Sequence, residues 1–160
     1  MALDMFIKIG ELKGESKDKV HAGEIDVLAW SWGLSNSGSA QVGGGAGAGK
    51  CNVQDLSFTK YIDKASPDLM LACCNGKHFP KATLVVRKAG GQPLEYFQIT
   101  LEDLIITAVT TGGSGGEDRL TENVILNFAK VKVNYKEQKA DGGVGDKPEM
   151  GWDIAENAKL

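Results

Sequence analysis

Two segments of this chain change hydrophobic phase in mid-run, and that constrains the fold more than any other feature. In residues 24–34, EIDVLAWSWGL, Ile25 and Val27 fall on one face, while Leu28, Trp30, Trp32 and Leu34 fall on the other. In residues 121–135, Val124, Leu126 and Phe128 share one face, then Val131, Val133 and Tyr135 share the opposite one. Side chains alternate strictly along a β-strand, so a straight strand keeps one phase. A switch needs a bulge, or a strand that bends from one packed sheet into a second.

Other runs alternate simply. Leu3, Met5, Ile7 and Ile9 read as a half-buried strand, and Leu56, Phe58 and Ile62 mark one face of a strand over 53–62. Residues 82–88 and 94–101 alternate on either side of Ala89-Gly90-Gly91-Gln92-Pro93, a hairpin signal. A further strand is expected over 103–111, then a turn at Gly112-Gly113-Ser114-Gly115-Gly116. Residues 66–76 read as the one substantial helix. Ser66 is expected as N-cap, Pro67 suits the first turn, Asp68 favours the positive end, and Asn75-Gly76 is the stop. Seven or eight strands with one short helix predict an all-β chain, a two-sheet β-barrel or sandwich, with residues 1–160 forming one domain.

Composition matters mainly through glycine. The 21 glycines are about 13% of the chain, against a usual ~7%. Six of them lie in residues 35–52 and three in residues 136–150. Residues 35–52 hold nothing apolar to bury except Val42, and read as a long protruding loop. Residues 136–150 read as a second flexible stretch. The formal net charge of -3 offers no concentrated positive face, so nucleic acid is not an expected partner. No apolar run approaches ~18 residues, which argues against membrane insertion, and the opening residues lack the pattern of a signal peptide. Three cysteines, Cys51, Cys73 and Cys74, make no disulfide framework and suggest a reducing compartment.

The motifs that suggest catalysis do not hold together. Gly44, Gly49 and Lys50 match GxxxxGK, but Cys51 stands where a phosphate loop needs Ser or Thr, and a strand pattern follows instead of a helix. Residues 112–116 match GxSxG around Ser114, yet His21 and His78 both precede it, and no helix pattern follows. His21 and His78 read as surface residues. Glu117, Asp118 and Glu122 beside Arg119 read as a solvated turn. No catalytic residue, metal ligand or cofactor is expected. Trp30, Trp32 and Trp152 are anchors of the core or of a subunit interface.

Several blocks in order along the chain carry a resemblance. They are the opening MALDMFIKIGELKGESKDKVH, EIDVLAWSWG at 24–33, VQDLSFTKYIDK at 53–64, the helix region 66–78, RKAGG at 87–91, SGGEDRLTE at 114–122, and GWDI at 151–154. Together they resemble the Hcp family of type VI secretion tube proteins. The resemblance implies a non-enzymatic subunit whose homohexameric rings stack head-to-tail into a hollow tube. It implies assembly in the bacterial cytoplasm, propulsion by a contractile sheath, a VgrG spike at the tip and small effector proteins in the channel. It further implies export without a signal peptide. Within that frame the glycines of the protruding loop (Gly38, Gly43, Gly44, Gly45, Gly47, Gly49) and Val42 are candidates for ring stacking. Ser31, which alternates with Trp30 and Trp32, is a candidate for facing the channel. A monomeric barrel that encloses a small ligand is the competing reading.

Overall fold

The computed structural model describes residues 2–38, 49–89 and 93–160. Eleven strands and one helix follow one another along these residues. They are β1 (Leu3–Ile9), β2 (Ile25–Asp26), β3 (Ala29–Ser31), β4 (Leu34–Ser35), β5 (Asn52–Val53), β6 (Leu56–Tyr61), α1 (Ser66–Asn75), β7 (His78–Lys88), β8 (Glu95–Gly112), β9 (Thr121–Tyr135), β10 (Glu149–Asp153) and β11 (Ala158–Lys159). All pairings are antiparallel. The all-β class with one short helix is therefore as expected.

The phase switch has a clear origin. β8 and β9 pair along nearly their whole length, with Ile99 opposite Val133 and Leu101 opposite Val131, then Leu104 opposite Phe128 and Ile106 opposite Leu126. All eight face inward except that Val133 is only partly covered. Inward positions of β8 are thus odd up to Leu101, even at Leu104 and Ile106, and odd again at Val109 after a bulge between Ile106 and Ala108, and β9 switches opposite the first of these changes. Asp103 sits there with φ 54, left-handed backbone that few non-glycine residues adopt. The two-strand ribbon turns at this point from one layer into the other. Beyond it the outer edge of β9 changes partner as well. Residues 121–126 pair with β6, whereas 130–134 pair with β10.

One layer therefore runs β2-β1-β7 through the first part of β8 and the last part of β9 to β10 and β11, and the other runs β3-β6 through the remaining halves. Segment 25–31 crosses between them. Val27 donates its backbone N–H to Met5, and Leu28 donates to Thr59. β2 and β3 remain separate strands, so the ladder is sandwich-like and not a closed barrel. The expected continuous strand over 24–34 is broken into β2, β3 and β4 by that crossing. The strands expected at 94–101 and 103–111 are one 18-residue strand, β8, because Asp103 bends it without ending it.

Between the layers lie Ile7, Ile9, Ile25, Leu56, Phe58, Leu84, Ile99, Leu101, Leu104, Val124, Leu126 and Val131, all essentially buried. Each such aliphatic or aromatic side chain stabilises by roughly 1.5–3 kcal/mol on leaving water. They fill the interior. α1 packs on β8 through Leu69 and Ala72, with Cys73 against the core and Met70, Leu71 and Cys74 outward. Its stop is as expected, with Gly76 left-handed at φ 65 and donating to Ala72. Its start is not. Ala65 is the N-cap and makes no side-chain cap, while Ser66 is the first helical residue. The Ser66 hydroxyl is drawn elsewhere, as described next.

Candidate assembly surfaces

β3, β6 and the first half of β9 place their even-phase side chains inward, with Trp30 opposite Phe58 and Phe58 opposite Val124. The alternate positions must then point away from the core. They are Ala29 and Ser31 on β3, Ser57 and Thr59 on β6, and Asn123 and Ile125 on β9, with Ser31 opposite Ser57 and Ser57 opposite Ile125. Ser31 is exposed. The Asn123 side-chain oxygen accepts hydrogen bonds from Ser57 (3.2 Å) and Thr59 (3.3 Å). These side chains are small and uncharged, and Ser57 and Thr59 both bond Asn123.

Next along the chain comes the root of the loop expected over 35–52. β4 and β5 form a two-stranded ribbon, Leu34 opposite Val53 and Ser35 opposite Asn52. Asn36 donates its side-chain amide to the Gly49 carbonyl at 2.6 Å, and Trp32 donates its indole N–H to the Gln54 carbonyl at 2.9 Å. Leu28 and Leu34 stay 40% and 45% exposed, so their faces are not absorbed by the core. Of the stacking candidates, Gly38 and Gly49 stand at this root. Val42, Gly43, Gly44, Gly45 and Gly47 lie outside the described residues. Trp30, Trp32 and Trp152 pack against the core while remaining partly exposed, Trp30 stacking on Phe97 at 5.6 Å.

A buried polar cluster braces the layer behind this face. Lys60 and Glu122 are cross-strand partners, and both side chains are fully buried. The Lys60 ammonium lies 2.5 Å from Glu122 and 2.9 Å from Asp63. It also donates to the Ser66 hydroxyl (3.1 Å), and that hydroxyl bonds Glu122 at 2.5 Å and accepts from the Asp63 backbone N–H at 3.0 Å. The cluster ties β6, β9 and the first turn of α1 together. The reading of Glu122 as part of a solvated turn is thus corrected. Glu117 and Asp118 are exposed, but Glu122 shares the inward phase of Val124 and Leu126. The sequence shows Lys60 in phase with Leu56-Phe58 and Glu122 in phase with Val124-Leu126, but only the pairing of β6 with β9 brings the two charges together.

His21 is corrected likewise. It is 7% exposed and lies between Glu24 and Glu95, stacked on Phe6. Nearby, Arg87 pairs with Asp18 and, at 3.4 Å, with Asp4. The hydrogen bond from Arg87 outweighs burial and holds the Asp18 carboxyl down at about 2.

The catalytic look-alikes stay apart. Ser114 is in an exposed turn followed by β9, His78 is exposed on β7, and Lys50 precedes the short strand β5. Among the described residues no three His, Cys, Asp or Glu side chains gather to hold a metal, and no helix is long and apolar enough to cross a membrane.

Comparison with known proteins bears on what these surfaces serve. The sequence profile described as "Type VI secretion system effector, Hcp" matches residues 6–135. Protein hcp1 of Pseudomonas aeruginosa is 65% identical over 161 residues, covering 99% of each chain. A solved structure described as that of a type six secretion system protein has a TM-score of 0.93 at 30% identity, covering 99% of this chain and 100% of its own. The crystal structure of Hcp1 from Salmonella typhimurium has a TM-score of 0.80 at 40% identity, covering both chains completely.

Proposed function

This chain belongs to the Hcp family of type VI secretion tube proteins, and on that premise we propose that it is the repeating subunit of such a tube, acting by assembly and not by catalysis. Six copies close into a ring through a heterologous interface, and rings stack head-to-tail, a contact that does not close and so extends into a tube. Within the molecule, the observation that supports this reading is the small, uncharged face of Ser31, Ser57, Thr59 and Asn123. A channel wall has to pass differing cargo without trapping it. Small uncharged side chains make none of the stronger charge-assisted hydrogen bonds that would hold it.

In this reading Ser31 faces the channel, and small effector proteins travel beside it. The loop rooted on β4 and β5 reaches the next ring. Its glycines permit close backbone approach, and its scarcity of apolar side chains keeps stacking reversible. The partners are further copies of the chain, a VgrG spike at the tip and a contractile sheath outside. Assembly takes place in the bacterial cytoplasm, with export through the type VI apparatus. The monomeric ligand-binding barrel fares less well, since side chains such as Phe58, Leu101 and Leu126 occupy the interior where a ligand would sit.

Light scattering after gel filtration tests the proposal. Six copies of 17.0 kDa make a particle of about 102 kDa. A mass near 17.0 kDa at every concentration would remove the ring and return the ligand-binding reading.

A further inference from the structure

Residues 10–24 have few apolar side chains, yet they lie flat on the outward face of β1 and β7. Phe6 and Val85 point away from the main core and are still 5% exposed each. A short backbone ladder shapes the segment. Gly14 donates to Gly23 (2.8 Å), Gly23 to Ser16 (2.9 Å) and Ser16 to Glu24 (3.0 Å). Leu12 packs on the core and Gly10 donates to Lys81 at the start of the segment, and beyond them charge fastens it to the rest of the molecule. The Arg87 guanidinium of β7 pairs with Asp18 and lies over the Phe6 ring at 5.0 Å, with Asp4 of β1 on its other side at 3.4 Å. Asp18 also accepts the backbone N–H groups of Val20 (3.0 Å) and His21 (3.1 Å).

His21 makes the second fastening. Its Nδ1 is 3.0 Å from a Glu24 carboxylate oxygen, and its Nε2 is 2.5 Å from a carboxylate oxygen of Glu95, the first residue of β8. A carboxylate only accepts, and a neutral imidazole has a single N–H to give. Both contacts can be hydrogen bonds together only when the ring carries two protons. We infer that His21 is a protonation-dependent clasp: as imidazolium it bridges Glu24, within segment 10–24, to Glu95 at the start of β8, and on losing a proton it can hydrogen-bond only one of the two carboxylates.

The surrounding charges agree with this. Arg87 is the cation nearby, and Asp18 and Asp4 oppose it; Glu24 and Glu95 face the imidazole directly. Burial disfavours the charged ring, but the hydrogen bonds and charges of Glu24 and Glu95 outweigh it and raise the His21 pKa above 6.5. A group with a raised folded pKa contributes stability that is fully present below its unfolded value. The contribution is lost as pH climbs through the folded value. The clasp is therefore shut on the acid side of 6.5 and opens on the alkaline side of the raised pKa.

The test is a pair of titrations on the full-length protein in its native assembly, from about pH 5.5 to about pH 9. The imidazole resonances of His21 are followed by NMR, and amide exchange of Ser16 and Gly23 is corrected for its intrinsic pH dependence. His21 should titrate above 6.5, and the corrected exchange should rise about tenfold or more across the His21 transition, as expected for losing a charge-assisted hydrogen bond. Glu95→Gln should lower the His21 midpoint, and His21→Gln should give fast exchange with no pH dependence. Should His21→Gln fail to fold, Glu95→Gln still decides. A His21 midpoint at or below 6.5, a midpoint unmoved by Glu95→Gln, or corrected exchange flat with pH would overturn the clasp.

Discussion

At the scale of single residues, the most consequential charges are the ones the core has swallowed. Lys60 and Glu122 are out of water, so each depends on the other and on Asp63 and Ser66. Desolvation makes such a pair a modest contributor to net stability, but removing one partner strands the other. Lys60→Met should therefore destabilise by about 3–5 kcal/mol in urea unfolding, and the double variant Lys60→Met with Glu122→Leu should recover most of the loss. If the double variant is as unstable as the single one, the cluster matters for its shape and not for its charge balance. Neither residue announced this role alone. A lone Lys or Glu in a strand is usually solvent-facing, and only cross-strand register puts Lys60 opposite Glu122.

At the scale of elements, the β8–β9 ribbon carries the design. A bend that lets two strands serve two layers needs a residue able to adopt left-handed backbone, and Asp103 does so at φ 54. Asp and Asn tolerate that region through local hydrogen bonding, whereas a β-branched side chain does not. Asp103→Val is expected to cost about 1–2 kcal/mol, and Asp103→Asn to stay within about 0.5 kcal/mol of the parent, as read from thermal or urea midpoints. Equal stability of the Val variant would mean that the backbone bends without help from the residue. The switch itself was legible in 121–135 as a change of hydrophobic phase. Its exact partner in β8 was not, because a gap between two alternating runs looks the same as a loop. The helix shows a similar division. Asn75-Gly76 ended it as read, but Ser66 served the Lys60–Glu122 cluster in place of the cap.

For the whole molecule, assembly asks different things of different surfaces. If the loop rooted on β4 and β5 reaches a neighbouring ring, deleting residues 40–48 should leave the mass of about 102 kDa intact and shift tube formation to higher protein concentration, seen by electron microscopy of stacked rings. Loss of the ring on that deletion would place the loop in the ring interface instead. The root explains why the deletion is tolerable to the fold. β4 and β5 pair with each other as a separate ribbon, apart from the nine-stranded sheet.

Much was determined by sequence alone. Alternation, phase switches, glycine turns and one capped apolar helix specify an all-β chain of two layers, because side-chain periodicity and backbone conformational limits act locally. The motif blocks placed it in its family. What only the tertiary structure decided is which charges are buried and with whom. Lys60 met Glu122, and His21 met Glu24 and Glu95, across separations of 62, 3 and 74 residues. Local sequence fixes how a side chain alternates, but desolvation and pairing depend on what the fold brings to the other side.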